Sequence, residues 1–138
     1  MADNRLRVVR GNTDDTRFTW ESQAAQYPPS GQPGVSYFRG DVSDDGYGPG
    51  AYVDCLLFRD ASGVLVGVLN HYPADFPPYE SAGNVLVLVR DDRRRRGIGT
   101  ALLREAMTRW PVDLYAQRYT ETGADFVGAL IARGALDT

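Results

Sequence analysis

The segment RDDRRRRGIGTALL, residues 90 to 103, is the part of the sequence whose residue types and spacing most directly indicate chemistry. Four consecutive arginines, Arg93 to Arg96, precede Gly97 and Gly99. The apolar run VLVLV at 85–89 comes just before this segment, and an amphipathic pattern follows it. This order predicts a strand, a turn and the N-terminal end of a helix, where free main-chain N–H groups and the helix dipole favour a bound phosphate.

The arginines and glycines of this segment fit a phosphate-binding loop, but not the two most familiar nucleotide motifs. Gly97 and Gly99 keep side-chain bulk away from the helix start, and the arginines add charge-assisted hydrogen bonds. The segment lacks the GK[ST] ending of a nucleotide P-loop and the third glycine of the dinucleotide fingerprint. A phosphate loop of another kind is therefore indicated.

The stretch RRRGIG, from Arg94 to Gly99, followed by TALL, resembles the [Q/R]-x-x-G-x-[G/A] signature of the GNAT superfamily of N-acetyltransferases. The apolar strand before it and the helix after it stand in the same order in that family. The resemblance covers roughly residues 5 to 134, and its specific part is confined to residues 85–103. It implies an N-acetyltransferase that uses acetyl-CoA as cosubstrate and an amine-bearing molecule as acceptor, without a metal.

The resemblance also implies which residues bind coenzyme A. The pyrophosphate would lie against the main chain of the turn and the first helical residues, namely Arg94, Arg95, Arg96, Gly97, Gly99 and Thr100. The pantetheine arm would pair with the main chain of Leu88 and Val89. In the family this strand splays from its neighbour, and one main-chain N–H there bonds the thioester oxygen as negative charge develops on it.

The sequence departs from the family pattern in several places. Arg95 stands where glycine is common, and Leu130 stands where the family often has a proton-donating tyrosine, four residues before Gly134. Ala135 replaces the phenylalanine of the family's Gly-Phe pair, and few residues follow it. The chain is therefore identified as a short member whose predicted strand at 112–119 is an exposed edge, which a second copy would cover in a homodimer.

Direct transfer of an acetyl group to an amine requires a base near the opening between the strands. His71, the single histidine, ends a predicted strand, and its titration range suits this role. Glu80 precedes the apolar strand, where members of the family place a carboxylate that acts through water. Tyr115 and Tyr119 are candidates for the missing proton donor. Each candidate has a structural alternative: a solvated histidine, a solvated loop acid, or aromatic packing in a sheet.

Residues of the predicted loops are candidates for the acceptor pocket. Five aromatic side chains are candidates for its lining: Tyr37, Phe38, Tyr72, Phe76 and Tyr79. Three carboxylates are candidates for attracting a cationic acceptor: Asp41, Asp44 and Asp45. Core covering and Asx turns explain the same residues equally well, so the acceptor stays open.

Hydrophobic periodicity and turn residues predict the elements that position these groups. They are a strand at 5–11, a helix from about Thr16 to Tyr27, a long loop at 28–50 with a short element at 35–38, a hairpin at 51–72, strands at 84–90 and 112–119, and helices from Ile98 to Trp110 and from Thr122 to a cap at Gly134. The pattern predicts an α/β fold of the mixed α+β kind in a single domain, 1–138. The resemblance implies a mixed, mostly antiparallel central sheet with a splayed strand, flanked by helices.

Composition narrows the function classes. The 138 residues suit one domain, and the net charge is −3 although the chain has 15 arginines and no lysine. Cys55 is the single cysteine, which argues against a disulfide framework or a cysteine-based metal site. The longest apolar run is too short to span a membrane and the N-terminus does not resemble a signal peptide, so a cytoplasmic protein is expected.

Two alternatives to an acetyltransferase stay open. The first is a non-catalytic GNAT-like module that binds coenzyme A or a partner protein, which the absent tyrosine supports. The second is a nucleic-acid binder that uses the four arginines. The acidic overall balance argues against nucleic acid, because such proteins usually carry an extended basic face.

Overall fold

The computed structural model describes residues 7–8, 19–43, 48–75, 82–115, 117–119 and 121–135. In chain order it contains β1 (Arg7–Val8), α1 (Trp20–Ala24), β2 (Gly34–Asp41), β3 (Tyr52–Arg59), β4 (Leu65–His71), β5 (Val85–Val89), α2 (Ile98–Arg109), β6 (Arg118–Tyr119) and α3 (Glu121–Ala132), with a short 3-10 turn at Asp91–Arg93. Strands and helices are mixed along the chain, which confirms the predicted α/β fold.

Strands β2, β3, β4 and β5 form an antiparallel sheet in that order. The predicted hairpin at 51–72 is confirmed as β3 and β4, and Asp60 tightens its turn by accepting hydrogen bonds from the N–H groups of Ser62 (2.9 Å) and Val64 (3.0 Å). Every residue of β4 is buried, whereas every residue of β5 is partly exposed. The apolar strand predicted at 84–90 is confirmed as β5. Its nearly continuous apolar run is typical of a central strand covered on both faces, but in the described residues β5 lies at the end of this sheet and is partly exposed.

The segment predicted as a long loop at 28–50 instead contains a full strand. β2 pairs with β3 along its whole length, from Gly34 opposite Arg59 to Asp41 opposite Tyr52. Its glycines and polar residues are typical of a turn region, but pairing with β3 satisfies its main chain. The prediction of a loop with only a short element was wrong because that pairing depends on β3, which lies outside the segment itself.

Helices cover both faces of this sheet. Beneath α2 and α3 lies one buried apolar cluster, formed by Leu56, Val66, Leu69, Ile98, Leu102, Leu103, Ala106, Leu114, Tyr119, Val127 and Leu130. Beside α1 lies a second, formed by Tyr27, Val53, Cys55, Leu57, Leu65, Val68 and Tyr72. A β-carbon at Gly67 would lie 2.6 Å from Cγ2 of Ile98, so α2 packs closely on β4. This close contact fixes the N-terminal end of α2 beside the end of β5.

The strand predicted at 112–119 was wrong over most of its length, because only Arg118–Tyr119 is a strand. Residues 114 and 115 form a turn, in which Asp113 Oδ1 accepts a hydrogen bond from Tyr115 N–H (3.0 Å). This Asx turn competes with extended pairing. β6 pairs in parallel with β1 in a separate two-stranded sheet, so the edge that we expected a second copy to cover is far shorter than predicted.

The helix ends agree in part with the sequence. At the end of α3, Gly134 has a φ of 68° and Ala135 N–H donates to Leu130 O (2.9 Å), which confirms the predicted glycine cap as a Schellman motif. Thr122 already lies within α3, so it is not the N-cap that we predicted. The first helix is confirmed at Trp20–Ala24, but it ends three residues before the predicted Tyr27, because residues 25–27 form a turn. The predicted start at Thr16 falls outside the described residues. None of the helices in the described ranges is long and apolar enough to cross a bilayer.

Candidate active site

The chain between β5 and α2 forms a strained turn that leads directly into the helix. Arg95 has a φ of 64° and Gly97 a φ of 80°, both in the left-handed region. Arg95 is the one non-glycine residue with a positive φ in the described ranges, and such a conformation costs about 1 kcal/mol or more. Glycine would adopt this conformation without strain.

Six consecutive main-chain N–H groups at this turn, those of residues 95–100, have no hydrogen-bond acceptor within the described part of the chain. The first helical hydrogen bond runs from Ala101 N–H to Gly97 O (2.9 Å), and Gly97 has no side chain to cap the helix. Unpaired donors and the positive end of the helix dipole both favour an anion. We call residues 95–100 the anion cradle.

The arginine side chains at the cradle fall into two groups. Arg94 is already engaged, because its main-chain N–H donates to Asp91 O (3.4 Å) and its guanidinium pairs with the Asp91 carboxylate (2.9 Å). Arg95 and Arg96 are exposed, and neither forms an ion pair with another described residue. Of the predicted arginines, these two combine a free main-chain donor with a free guanidinium.

The two glycines of the predicted motif have different structural roles. A β-carbon at Gly97 would have no atom within 4 Å, so this residue supplies the left-handed turn and open space for a ligand. A β-carbon at Gly99 would lie 3.0 Å from Cζ of Phe126 in α3. Both glycines were expected to admit a ligand, but Gly99 instead admits a neighbouring helix.

Two hydrogen bonds reveal which main-chain groups of β5 face away from β4. Arg90 N–H donates to Val66 O in β4 (2.9 Å), whereas Val85 N–H donates in the opposite direction, to Gln117 Oε1 (2.8 Å). Main-chain groups of successive strand residues point to opposite sides. Even-numbered residues of β5 therefore turn their main chain towards β4, and odd-numbered residues turn theirs away from it.

The main-chain edge of β5 on this second side pairs with no other strand in the described residues, and we call it the gap side of β5. Within the described residues β5 pairs with β4 only, so the main-chain groups of Val87 and Val89 face the gap unpaired. Leu88 lies opposite Val68 and turns its main chain towards β4. Of the two residues predicted to pair with pantetheine, Val89 turns its main chain away from β4 and Leu88 does not; Val87, which was not among the predicted residues, has the same orientation as Val89.

Gln117 joins β5 to the segment before β6 at one end of the gap. Its Oε1 accepts from Val85 N–H (2.8 Å), and its Nε2 donates to Gly83 O (2.9 Å). No main-chain pairing joins β5 to β6 in the described ranges. The side chain of Gln117 thus links the Val85 end of β5 to the segment before β6.

A second polar cluster lies at the other end of α2. His71, at the end of β4, is 5% exposed, and its Nδ1 lies 2.9 Å from Oδ2 of Asp54 in β3. The hydroxyl of Tyr37, in β2, donates to the other carboxylate oxygen of Asp54. The ring of Trp110, which follows α2, stacks on the His71 ring with a centroid distance of 4.5 Å and an interplanar angle of 1°. We call these four residues the histidine cluster.

Comparison with known proteins supplies the identity of this arrangement. A model of the Acetyltransferase (GNAT) family matches residues 16–130, which include the cradle, the gap-facing strand and the histidine cluster. The chain belongs to the GNAT family of acetyltransferases. No curated protein and no solved structure matches it significantly. Members of this GNAT family use acetyl-CoA as cosubstrate, so membership supports acetyltransferase-type activity.

The remaining catalytic candidates of this GNAT domain have less suitable surroundings or lie outside the described residues. Tyr119 is buried and its hydroxyl donates to Leu114 O (2.6 Å). Burial raises the pKa of Tyr119 well above its ordinary value, with smaller contributions from Asp113 and Tyr115. Tyr115 lies half-buried in the turn before β6. Glu80 lies outside the described residues.

The predicted acceptor-pocket residues do not lie on one face of the GNAT sheet. Tyr37 contacts Trp110 edge-to-face on the α2 side, with ring centroids 6.3 Å apart. Phe38 contacts Tyr27 on the α1 side, at 5.5 Å, and Tyr72 belongs to the same α1-side cluster. Asp41, at the end of β2, is exposed, and its Oδ1 accepts a hydrogen bond from Ser43 N–H (2.9 Å). The other four candidates, Phe76, Tyr79, Asp44 and Asp45, lie outside the described residues.

Sequence reasoning missed Asp54, Trp110 and Gln117 as residues of the site. Asp54 could have been predicted from the sequence, because it is an acid inside the otherwise apolar strand YVDCLLF, where a charge without a partner would be costly. Trp110 and Gln117 had no such signal. Among the described residues, no group of three or more potential metal ligands lies together.

Proposed function

We propose that this protein transfers an acetyl group from acetyl-CoA to the primary amine of an acceptor, by direct attack of the amine in a ternary complex. The observation that carries the proposal is the anion cradle, whose six unpaired donors lie beside the gap-facing main chain of β5. Coenzyme A joins a pyrophosphate to an arm that contains amide groups. The cradle suits the first part and a free strand edge suits the second.

The described residues fit acetyl-CoA in three ways. The main-chain donors of the cradle would hold the pyrophosphate, helped by the guanidinium groups of Arg95 and Arg96. The gap-facing main chain of Val87 and Val89 would pair with the pantetheine amides. An N–H on the same edge would polarise the thioester carbonyl, since a donor aimed at developing negative charge stabilises the transition state.

A second candidate function is a module that binds coenzyme A without chemistry. One observation favours it: Leu130, at the position of the family's tyrosine, is 1% exposed and belongs to the core. No proton donor to the thiolate stands at that position. A thiolate of coenzyme A is a good leaving group near neutral pH, so an acetyltransferase can work without a dedicated acid, and the first candidate is preferred.

Calorimetric titration with acetyl-CoA, followed by an assay of thiol release with a panel of primary amines, tests the proposal. We expect saturable binding of one acetyl-CoA per chain and thiol release that depends on at least one amine. Binding without release for any amine would favour the binding module. Absence of binding by a folded protein would overturn both candidates.

A further inference from the structure

The histidine cluster orients one imidazole ring from two directions. Asp54 holds the Nδ1 side of the His71 ring through a hydrogen bond. An ionised carboxylate only accepts hydrogen bonds, so Nδ1 of His71 carries the proton. Trp110 fixes the ring plane by parallel stacking at 4.5 Å. Both oxygens of Asp54 are engaged, one by His71 and one by the hydroxyl of Tyr37. This arrangement leaves the lone pair of the imidazole on Nε2.

Nε2 of His71 has no hydrogen-bond partner among the described residues. Nitrogens of a buried histidine are normally all bonded. In the described ranges, the one fully enclosed side-chain nitrogen or oxygen without a partner is Nε of Arg59, so Nε2 of His71 keeps a path to solvent. Water or an acceptor amine can therefore reach Nε2.

The cluster lies one strand away from the gap side of β5, where the thioester is proposed to bind. The register places His71 directly opposite Val85, whose N–H is held by Gln117 at the linked end of the gap. Val87, whose main chain faces the gap side, lies on β5 two residues after Val85. Its Cα is roughly 8 Å from the Cα of His71. A side chain of histidine's length, or one water beyond it, spans that distance.

We propose that His71 is the general base that removes a proton from the acceptor amine, and that Asp54, Trp110 and Tyr37 are the positioning residues that hold its ring. The inference rests on the proposed function. It adds a path for the proton to the proposed reaction, and it places the acceptor amine on the α2 side of the sheet. Tyr37 acts through Asp54, and Trp110 acts on the ring plane.

The proton balance of the step follows from the chemistry of an amine and a thioester. The acceptor ammonium gives one proton to Nε2 and becomes a free amine. Its lone pair forms the new C–N bond at the carbonyl carbon, the C–S bond then breaks, and the electron pair leaves with sulfur. The nitrogen loses its second proton as the amide forms and the thiolate takes up one proton, so each turnover yields amide, thiol and one proton.

The charged and titratable groups on the side of the sheet that carries the ring are of both signs. From β3 the carboxylate of Asp54 contacts it directly, and α2 directs the negative end of its dipole towards Trp110 and the ring. From α2 the guanidinium of Arg109 approaches the ring of Tyr37 (5.8 Å) but is paired with Glu105 (2.9 Å). Arg39 and Tyr52 face the same side and contact each other at 3.8 Å.

Steady-state kinetics over a range of pH, with wild type, His71→Gln and Asp54→Asn, tests the inference. We expect His71→Gln to lower kcat by roughly 100-fold or more, the usual contribution of a general base, and to remove the ascending limb of the pH profile. Asp54→Asn should lower kcat by roughly 10-fold or more and Asp54→Glu should restore part of it, with acetyl-CoA binding unchanged in calorimetry. Asp113→Asn, an acid in a surface turn, is the matched control.

His71 is the single histidine, so one ¹⁵N-histidine spectrum of the protein without a histidine tag reads its tautomer directly. We expect the proton on Nδ1 in the wild type, and this result does not depend on activity. A proton on Nε2, or wild-type turnover that both variants keep within threefold with an unchanged pH profile, would overturn the inference. Absence of turnover in the wild type would instead refute the proposed function.

Discussion

The two ends of α2 show two ways of building a polar site. At the N-terminal end, the anion cradle consists of main-chain N–H groups on an exposed turn, with side chains that are free or weakly paired. At the C-terminal end, the histidine cluster consists of side chains from three strands and the residue after the helix, held by hydrogen bonds and ring stacking. The first site therefore depends on backbone shape, whereas the second depends on the identity of each side chain.

We expect the replacement of Trp110 to have the largest effect on stability. Trp110→Ala removes the stacking on His71 and the contact with Tyr37, and we expect it to lower the free energy of unfolding by about 3 kcal/mol, measured in urea. Trp110→Phe keeps an aromatic ring and should cost less than half as much. Equal stability of both variants and wild type would contradict the role of the stacked ring.

A larger residue at the second glycine of the motif is expected to come next. Gly99→Val pushes against Phe126, because the new β-carbon would lie 3.0 Å from the phenylalanine ring, and should destabilise the protein by about 2 kcal/mol. Thermal unfolding measures this loss. The combination with Phe126→Ala should recover part of the stability, and a double variant that is no better than the sum of the two single changes would show that the contact is not the cause.

At the first glycine the expected effect falls mainly on binding. Gly97→Ala has free space for its methyl group but must adopt a φ of 80°, which costs about 1 kcal/mol. We expect acetyl-CoA affinity to fall roughly tenfold by calorimetry, because a relaxed turn redirects the N–H groups that hold the phosphates. Gly134→Ala, at a similar φ of 68° but at the end of α3, is the matched control and should leave affinity unchanged.

The smallest effect concerns pH. Burial and the hydrogen bond to Asp54 raise the pKa of Tyr37 from 10.0 to about 12. Because the folded pKa is above the unfolded one, the stability that this group contributes is complete below pH 10 and is lost as pH rises towards about 12. The free energy of unfolding of Tyr37→Phe should therefore fall less than that of wild type as pH rises from 10 to about 12, as measured by denaturant unfolding followed by far-UV circular dichroism. An equal dependence of the unfolding free energy on pH in both proteins would contradict this role of Tyr37.

Local patterns in the sequence predicted the cradle end of α2 well. The apolar run, the glycine at the turn and the amphipathic helix are all encoded within residues 85–110, and β5 and α2 lie where they were expected. Periodicity also predicted the β3–β4 hairpin. These features depend on neighbours in sequence, so propensity and spacing are enough to indicate them.

The histidine end was not predictable in the same way. Asp54 and His71 meet because β3 and β4 pair in one register, and Trp110 reaches the ring only because α2 packs on that sheet. The strand β2, which contributes Tyr37, was itself mistaken for a loop because its pairing with β3 cannot be read from its own residues. Sequence reasoning selected His71 but not the residues that hold it.

We propose that the main-chain N–H groups of residues 95–100 hold the phosphates of acetyl-CoA. Backbone amide NMR during titration with acetyl-CoA tests it most directly, with 3′-dephospho-CoA as a second ligand to separate the pyrophosphate from the 3′-phosphate. We expect the largest amide shifts at residues 95–100 with both ligands. Saturation of the protein by acetyl-CoA with these amides unmoved would contradict it.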